Sequence, residues 1–263
     1  MGYYFAPVLI TFSKYQGTGN DFIMIDNRDG SIRLSKEQVI QLCDRKFGVG
    51  SDGIVLIESH AIEDFYMNFY NPDGSQSFCG NGSRCAVAFA RQLGIVGNHG
   101  LFGAIDKSHA FVVNDGEIAI QMLDVDAVTW TDEQCIIQTG SPHLIQLTND
   151  PEKLDVAVEG ASIRYSERFS KDGINVNFVH MGKGELWMRT YERGVEAETL
   201  SCGTGVTAAA LSLAALQPDV REVHVHTRGG DLKVKLERTS DGGFHDVWLC
   251  GPAKSVFQGT IEL

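Results

Sequence analysis

Two cysteines begin nearly identical tetrapeptides, CGNG at residues 79–82 and CGTG at residues 202–205. Each precedes a segment rich in apolar and small residues that predicts a helix, and residues 206–216 are apolar or small on nearly every side, which is typical of a buried helix. The first N–H groups of a helix have no intrahelical acceptor, and the helix dipole places partial positive charge there. Cys79 and Cys202 are therefore expected to favour the thiolate, with the pKa lowered from ~8.5 into the range of about 3.5–7.5. The glycines would let a carboxylate reach the bare N–H groups.

Two such sites suit the inversion of a carbon that carries a carboxylate. If they face each other across a cleft, one sulfur can remove the α-proton from one face while the other returns a proton to the opposite face. The pair would begin as one thiolate and one thiol and exchange roles in the reverse direction. The helix ends would stabilise the negative charge that grows on the carboxylate. The arrangement predicts a racemase or an epimerase.

An internal repeat carries the two cysteines. Residues 65–94 and 186–216 each contain a strand of the form aromatic-Met-x-x-Tyr, a polar turn, a Cys-Gly-x-Gly sequence and an apolar helix, and a strand pair follows each copy. We predict two homologous halves with a boundary near residues 122–126. The predicted domains are residues 1–122 plus 252–263, which contain Cys79, and residues 123–251, which contain Cys202.

The elements that would hold these residues are mostly short strands. Helices are predicted at residues 36–46, 82–93 and 205–216, with Ser35 capping the first. Because strands and helices do not alternate regularly, the pattern favours an α+β fold. The predicted strands are rich in β-branched and aromatic residues and end at Gly, Asn or Asp: LITFSKY, DFIMIDN, GIVLIE, FYMNFYN, AFVVND, EIAIQML, CIIQTG, LIQLT, VNFVHM, ELWMRTYE, EVHVHT, LKVKLE and FQGTIEL, with a further apolar strand around Cys250.

The composition argues against several classes of function. The chain has 263 residues, 43% hydrophobic content and a formal net charge of -12. Without a cluster of Lys and Arg, we expect no nucleic-acid binding. No signal peptide or membrane helix is apparent, so we expect no membrane association and a cytoplasmic location. Six cysteines without a C-x-x-C pair predict free thiols and no metal site, and the paired thiols make a cofactor unnecessary.

Six motifs resemble those of the diaminopimelate epimerase family over essentially the whole chain: FSKYQGTGNDF (12–22), GVGSDG (48–53), NPDGSQSFCGNGSRC (71–85), GSPH (140–143), YERGVEAETLSCGTG (191–205) and RGGDL (228–232). The resemblance implies two pseudo-symmetric β-rich domains, each a curved sheet wrapped around a central helix, with the last strand returning to the first domain. It also implies cofactor-independent interconversion of LL- and meso-diaminopimelate in lysine and peptidoglycan-precursor biosynthesis. The resemblance further implies a homodimer.

The resemblance also implies roles for individual residues. Cys79 and Cys202 would be the acid–base pair, and His143 and Glu192 would tune the two thiols. Arg193 would bind a carboxylate through its planar guanidinium, and Glu192 would bind an ammonium group. The remaining substrate contacts would be backbone N–H groups or side-chain amides, contributed by Gly80, Asn81, Gly203, Thr204, Asn20, Asn71 and Asn175.

Other interpretations remain open at this stage. Asn20 and Asn71 could be plain turn residues, Glu192 and Arg193 a solvated surface pair, and His143 a loop histidine. Three positions, Gly53, Ser141 and Asn177, depart from the usual family pattern, which leaves the distal substrate contacts open. Alternative functions are a racemase of another amino acid such as histidine or proline, a redox switch that forms a disulfide between the two cysteines, and a binding protein without catalysis.

Overall fold

Residues 9–262 are described by the structure, a computed structural model of the chain. The predictions that concern residues 1–8 and 263, including both ends of the first predicted domain, lie outside these residues. The strands are β1 Leu9–Gly17, β2 Asn20–Asp26, β3 Ile54–Glu58, β4 Phe65–Tyr70, β5 His99–Gly103, β6 Ser108–Asn114, β7 Glu117–Gln121, β8 Trp130–Thr131, β9 Gln134–Gln138, β10 Pro142–Leu147, β11 Asn175–Met181, β12 Glu185–Glu192, β13 Ala197–Thr199, β14 Glu222–Thr227, β15 Gly230–Arg238, β16 Phe244–Gly251 and β17 Lys254–Glu262. The helices are α1 Lys36–Cys43, α2 Gly80–Gln92, α3 Val156–Arg164 and α4 Gly203–Leu216, with a 3-10 turn at Pro151–Lys153.

The described residues fall into two units. The first holds residues 9–17, 21–111 and 253–262, and the second holds 18–20 and 112–252. The boundary near the middle of the chain therefore lies between residues 111 and 112, before β7, whereas the sequence predicts it after residue 122. The reason is that β7 pairs with β16 of the second unit, from Ile118 opposite Gly251 to Gln121 opposite Trp248.

In the first unit, strands enclose helix α2. β1 pairs antiparallel with β17, β2 parallel with β3, β3 antiparallel with β4, and β4 parallel with β5. Helix α2 contacts β1, β3, β4 and β17. Strand β1 passes close to the start of α2 at Gly17, where an added Cβ would lie 3.3 Å from Arg84 Nη2 and from the carbonyl oxygen of Asn81. Glycine thus allows the close approach of strand and helix.

The second unit repeats this arrangement around helix α4. β10 pairs parallel with β11, β11 antiparallel with β12, and β12 parallel with β14. Helix α4 contacts β9, β10, β11, β12 and the β14–β16 strands, and its residues from Val206 to Ala214 are all buried. The prediction of a buried helix behind Cys202 is confirmed. Apart from the short strand β13 between β12 and α4, the order β2-α1-β3-β4-α2-β5 matches β10-α3-β11-β12-α4-β14. The predicted α+β fold is confirmed.

Several element predictions were wrong in detail. Helix α1 ends at Cys43 rather than at residue 46, because Asp44 is extended (φ -64, ψ 127). Helices α2 and α4 begin two residues before their predicted starts, since the cysteines themselves occupy the N-cap positions. Helix α3 was not predicted: Gly160 and its β-branched neighbours weaken the helical signal. Strands β5, β8 and β13 were also missed, being short or rich in glycine.

Glycine at position 160 has a packing reason. A Cβ there would lie 2.3 Å from Tyr191 Cβ, so only glycine lets α3 pack this closely on β12. Within residues 9–262, no helix has the length and apolar character needed to cross a bilayer.

Candidate active site

Cys79 stands at the junction between an extended segment and helix α2. Its backbone is extended (φ -134, ψ 109), and its Sγ accepts a hydrogen bond from the Gly82 N–H at 3.4 Å. The Ser83 hydroxyl donates to the Cys79 carbonyl at 2.8 Å. The side chain is half-buried. The thiol is therefore held at the positive end of α2, as the sequence predicts for a thiolate.

The first turn of α2 rests on a buried arginine for which the sequence pattern predicts no role. Arg84 is fully buried, and its Nη2 donates to Asn81 Oδ1 at 2.9 Å. Asn81 is itself almost fully buried. Its side chain thus packs in the interior of the unit, and the backbone contact with a carboxylate that the sequence predicts for Asn81 stays a prediction.

Asn71 shapes the loop that leads to Cys79. Its Nδ2 donates to the Ser75 carbonyl at 3.2 Å and to the hydroxyls of Ser75 and Ser77, each at 3.1 Å. This is the behaviour of a turn residue, and Asn71's predicted contact with substrate stays a prediction.

Asn20 begins β2 after a tight turn in which Thr18 and Gly19 have positive φ, 51° and 78°. The three residues belong to the second unit. A Cβ on Gly19 would lie 2.8 Å from Leu200 Cδ1, and one on Gly229 would lie 1.8 Å from the Thr18 carbonyl oxygen. The RGGDL motif therefore supplies a glycine that admits this turn beside the segment leading to Cys202.

Cys202 occupies the same position in the second unit. It occupies the N-cap position of α4 with an extended backbone (φ -120, ψ 113), and it is 8% exposed. Its Sγ lies 3.5 Å from Thr204 Oγ1. Where Cys79 has a backbone N–H on its sulfur, Cys202 has a hydroxyl, which can either donate or accept.

His143 is fully buried behind that hydroxyl. Its Nε2 lies 2.9 Å from both Thr204 Oγ1 and Ser141 Oγ, and its Nδ1 lies 3.2 Å from Asn177 Nδ2. Burial, assisted by the positive charge of Arg193, lowers the pKa of His143 to about 3. The imidazole is therefore neutral near pH 7, and it can influence Cys202 through hydrogen bonds rather than through charge.

Asn175, Glu192 and Arg193 form a second group in this unit. Asn175 Nδ2 donates to Ser141 Oγ at 3.1 Å and to the Pro142 carbonyl at 3.0 Å, and its Oδ1 accepts from the Arg193 N–H at 2.8 Å. Arg193 is exposed, and its guanidinium donates to the Asp172 carbonyl at 3.0 Å. Glu192 is half-buried and accepts from the Thr199 hydroxyl at 2.8 Å. Because Asn175 is buried and uses its whole amide group here, these contacts make it a support for Ser141 and Arg193.

The three departures from the family pattern have local explanations. At Gly53 an added Cβ would lie 2.4 Å from Phe69 Cε2 and 2.8 Å from the Tyr70 carbonyl oxygen, so no side chain fits there. Ser141 and Asn177 both contact His143, one at each ring nitrogen. Two of the departures therefore belong to one cluster around a single imidazole.

The other four cysteines differ from the two at the helix starts. Cys43, Cys85, Cys135 and Cys250 are buried, and burial raises the pKa of each thiol, to about 12 for Cys135 and about 11 for Cys250. They stay protonated near pH 7. Over residues 9–262, no group of three or more His, Cys, Asp and Glu side chains is placed to hold a metal ion.

Two of the sequence motifs serve the first unit's structure. Lys14 forms an ion pair with Asp21 at 2.6 Å, and Arg45 bridges Asp21 and Asp52, each at 2.7 Å. Burial would raise the pKa of Asp21, but hydrogen bonds from Arg45 and Lys14 outweigh it and lower the pKa to about 2. This network ties β1 and β2 to the GVGSDG loop.

Comparison with known proteins identifies the family. The family model described as diaminopimelate epimerase matches residues 12–132 and, separately, residues 135–254. The chain belongs to the diaminopimelate epimerase family. It is 46% identical over 253 residues to diaminopimelate epimerase of Flavobacterium psychrophilum, covering 94% of this chain and 98% of that protein. It is 41% identical to diaminopimelate epimerase of Chlorobaculum tepidum, covering 94% and 99%. The chain is thus an isomerase that acts on a small molecule, and its family is that of a lysine-biosynthetic epimerase.

Solved structures share the fold at low sequence identity. The phenazine biosynthesis protein of the PhzF family from Bacillus anthracis has a TM-score of 0.73 and 14% identity, with 97% of this chain and 100% of that chain covered. A hydroxyproline epimerase from Agrobacterium vitis has a TM-score of 0.69 and 13% identity, with 97% and 93% covered. The two separate matches of the family model to this chain fit the internal repeat.

Proposed function

We propose that the chain interconverts LL- and meso-diaminopimelate without a cofactor, with Cys79 and Cys202 as the acid–base pair. The observation that carries this proposal is that the two cysteines occupy the same N-cap position of two repeated helices. In each unit the helix dipole and the first-turn N–H groups favour a thiolate and a bound carboxylate.

The catalytic step moves protons only. The thiolate of one cysteine takes the α-proton, and the thiol of the other gives a proton to the opposite face of the same carbon. Backbone N–H groups of Gly80 and Asn81, and of Gly203 and Thr204, would bind the α-carboxylate and stabilise its growing negative charge. Arg193 suits the carboxylate at the distal end of the substrate, and Glu192 suits the ammonium there. The amides that would contact the substrate or hold these two residues in place are Asn20, Asn71 and Asn175.

The test is epimerisation in deuterated water at early conversion. With two bases, deuterium appears at the α-carbon of the product, while recovered substrate keeps its proton, because the abstracted proton stays on the first sulfur. Cys79→Ser and Cys202→Ser should each lose at least a hundredfold in kcat under reducing conditions, since a hydroxyl is a far weaker acid than a thiol. Cys43→Ser, at a buried thiol in helix α1, is the matched control and should keep the parent rate.

Retained activity in Cys202→Ser would refute the two-thiol mechanism. Loss of activity only under oxidising conditions would favour a disulfide switch, and tolerance of both changes would indicate a binding protein. Histidine and proline are assayed beside diaminopimelate, because Gly53 and Ser141 alter polar positions that could contact the distal end. Turnover of either in place of diaminopimelate would make the chain a different racemase.

Three further expectations belong to this proposal. We expect the enzyme to work in the cytoplasm as a homodimer, without nucleic-acid or membrane partners. Strand β17 of the first unit exposes Val256 and Phe257, and an exposed apolar pair of this kind suits contact with a second copy.

A further inference from the structure

The amide of Asn177 has only one orientation that satisfies its neighbours. Its Nδ2 lies 3.0 Å from the Leu144 carbonyl oxygen, and its Oδ1 accepts from the Thr190 hydroxyl at 3.0 Å. Turning the amide over would place Oδ1 against that carbonyl oxygen, two acceptors in a buried site, which is costly. Nδ2 is therefore also the atom that faces His143 Nδ1 at 3.2 Å.

This orientation fixes the tautomer of His143. Because Nδ2 donates, Nδ1 must accept, and a neutral imidazole then carries its hydrogen on Nε2. The Nε2 hydrogen is directed at the oxygens of Thr204 and Ser141, both 2.9 Å away. The Thr204 hydroxyl cannot give its own hydrogen to a nitrogen that is already protonated.

Two acceptors remain for the Thr204 hydrogen. Cys202 Sγ lies at 3.5 Å and Ser141 Oγ at 3.3 Å. When Cys202 is a thiolate, the hydroxyl can donate to the sulfur, and when Cys202 has taken a proton, the hydroxyl can turn to Ser141. Only a hydroxyl rotates, and no proton passes from His143 to the sulfur.

We propose that Asn177 is a positioning residue for Cys202, because it holds His143 in the tautomer that leaves the Thr204 hydrogen for the sulfur. The proposal rests on the role of Cys202 as a base. Glycine at position 205 is part of the same arrangement, since a Cβ there would lie 2.7 Å from Asn177 Oδ1 and 3.2 Å from His143 Cε1. Arg193, whose positive charge acts on His143, and its neighbour in sequence Glu192, which accepts from the Thr199 hydroxyl, are both left unaltered in the test.

The first measurement is the tautomer itself. In protein labelled with ¹⁵N-histidine, the ring shifts of His143 should show a hydrogen on Nε2 and none on Nδ1 from pH 5 to pH 9. Asn177→Leu removes the amide at similar volume and should give a mixture of tautomers. Thr190→Val is the matched control, because it removes the other hydrogen bond of the same amide and leaves the contact with His143, and it should keep the parent spectrum.

The second measurement is the pH dependence of Cys202 alkylation in a Cys79→Ser background, with the modified peptide identified by mass spectrometry. A hydrogen bond to an ionised group is worth enough to move a titration by about one pH unit, a tenfold change in thiolate at a given pH. Asn177→Leu and Thr204→Val should both raise the midpoint by about that amount. Thr190→Val and Thr204→Ser, which keep the chain of hydrogen bonds, should not.

A hydrogen on Nδ1 in the parent would overturn the proposal, as would an unchanged alkylation midpoint in Thr204→Val or an equal shift in Thr190→Val. These results do not depend on turnover. If Cys202→Ser retained epimerisation, Cys202 would not be the catalytic base. The tautomer and alkylation measurements would still show whether Asn177 affects the thiol.

Discussion

The substitutions Gly205→Ala and Gly82→Ala distinguish the effect of helix propensity on stability from the effect of local packing. Both glycines are the third residue of their helix, in equivalent positions of the repeat. At position 205 an added Cβ would lie 2.7 Å from Asn177 Oδ1, whereas at position 82 the nearest atom would be Met67 Cε at 3.3 Å. The Asn177 amide is held by three partners, while the terminal methyl of Met67 can move.

The expected magnitudes follow from these distances. Alanine is favoured over glycine in a helix interior by about 0.8–1.0 kcal/mol, and overpacking a rigid site costs about 1–3 kcal/mol. Gly82→Ala should therefore leave the free energy of unfolding unchanged or raise it by up to about 1 kcal/mol. Gly205→Ala should lower it by up to about 2 kcal/mol, since the overpacking cost exceeds the propensity gain, and should weaken the Asn177–His143 hydrogen bond.

Urea unfolding measures both changes. The three tryptophans, Trp130, Trp187 and Trp248, lie in the second unit, so their fluorescence reports on Gly205→Ala. Circular dichroism follows Gly82→Ala, and unchanged m values would allow the midpoints to be compared as stabilities.

A double variant tests the assigned cause. Asn177→Ala frees the space beside residue 205, so in that background Gly205→Ala should cost at least 0.5 kcal/mol less, a coupling typical of residues in contact. Equal effects at positions 82 and 205, or additive effects of the two substitutions in the second unit, would refute the packing argument.

Two further predictions concern the first unit. Because the folded pKa of Asp21, about 2, lies below its unfolded value, its charge stabilises the fold above about pH 4, and this stability is lost as the pH falls towards 2. Asp21→Asn should therefore cost at most about 2 kcal/mol at pH 7, reduced by screening, and the gap to the parent should close on acidification in pH-dependent urea titrations. Gly53→Ala places a Cβ against Phe69 and should lower the free energy of unfolding by about 1–3 kcal/mol, measured by thermal unfolding. A second substitution, Phe69→Leu in the same chain, should recover part of that loss. A Tm equal to that of the parent for Gly53→Ala would refute the packing argument.

The sequence was sufficient for features whose cause is local or repeated. A cysteine directly before Gly-x-Gly and an apolar run indicates a thiol at the start of a helix, and both thiols were placed there from sequence, although each helix begins two residues earlier than predicted. The repeat also indicates a helix that composition alone does not predict. Since α1 lies between β2 and β3, the matching interval between β10 and β11 indicates α3, a helix whose own composition hides it.

What the tertiary structure alone decided is which side chains meet. His143 contacts Thr204 and Asn177 because β10 and β11 pair parallel with His143 opposite Asn175, while α4 packs across both strands. The unit boundary before β7 likewise depends on its ladder with β16. The physical reason is that capping and periodicity act within a few residues of chain, whereas strand register and helix packing join residues distant in sequence. The thiols could therefore be found from sequence, but the hydrogen bonds that orient one of them could not.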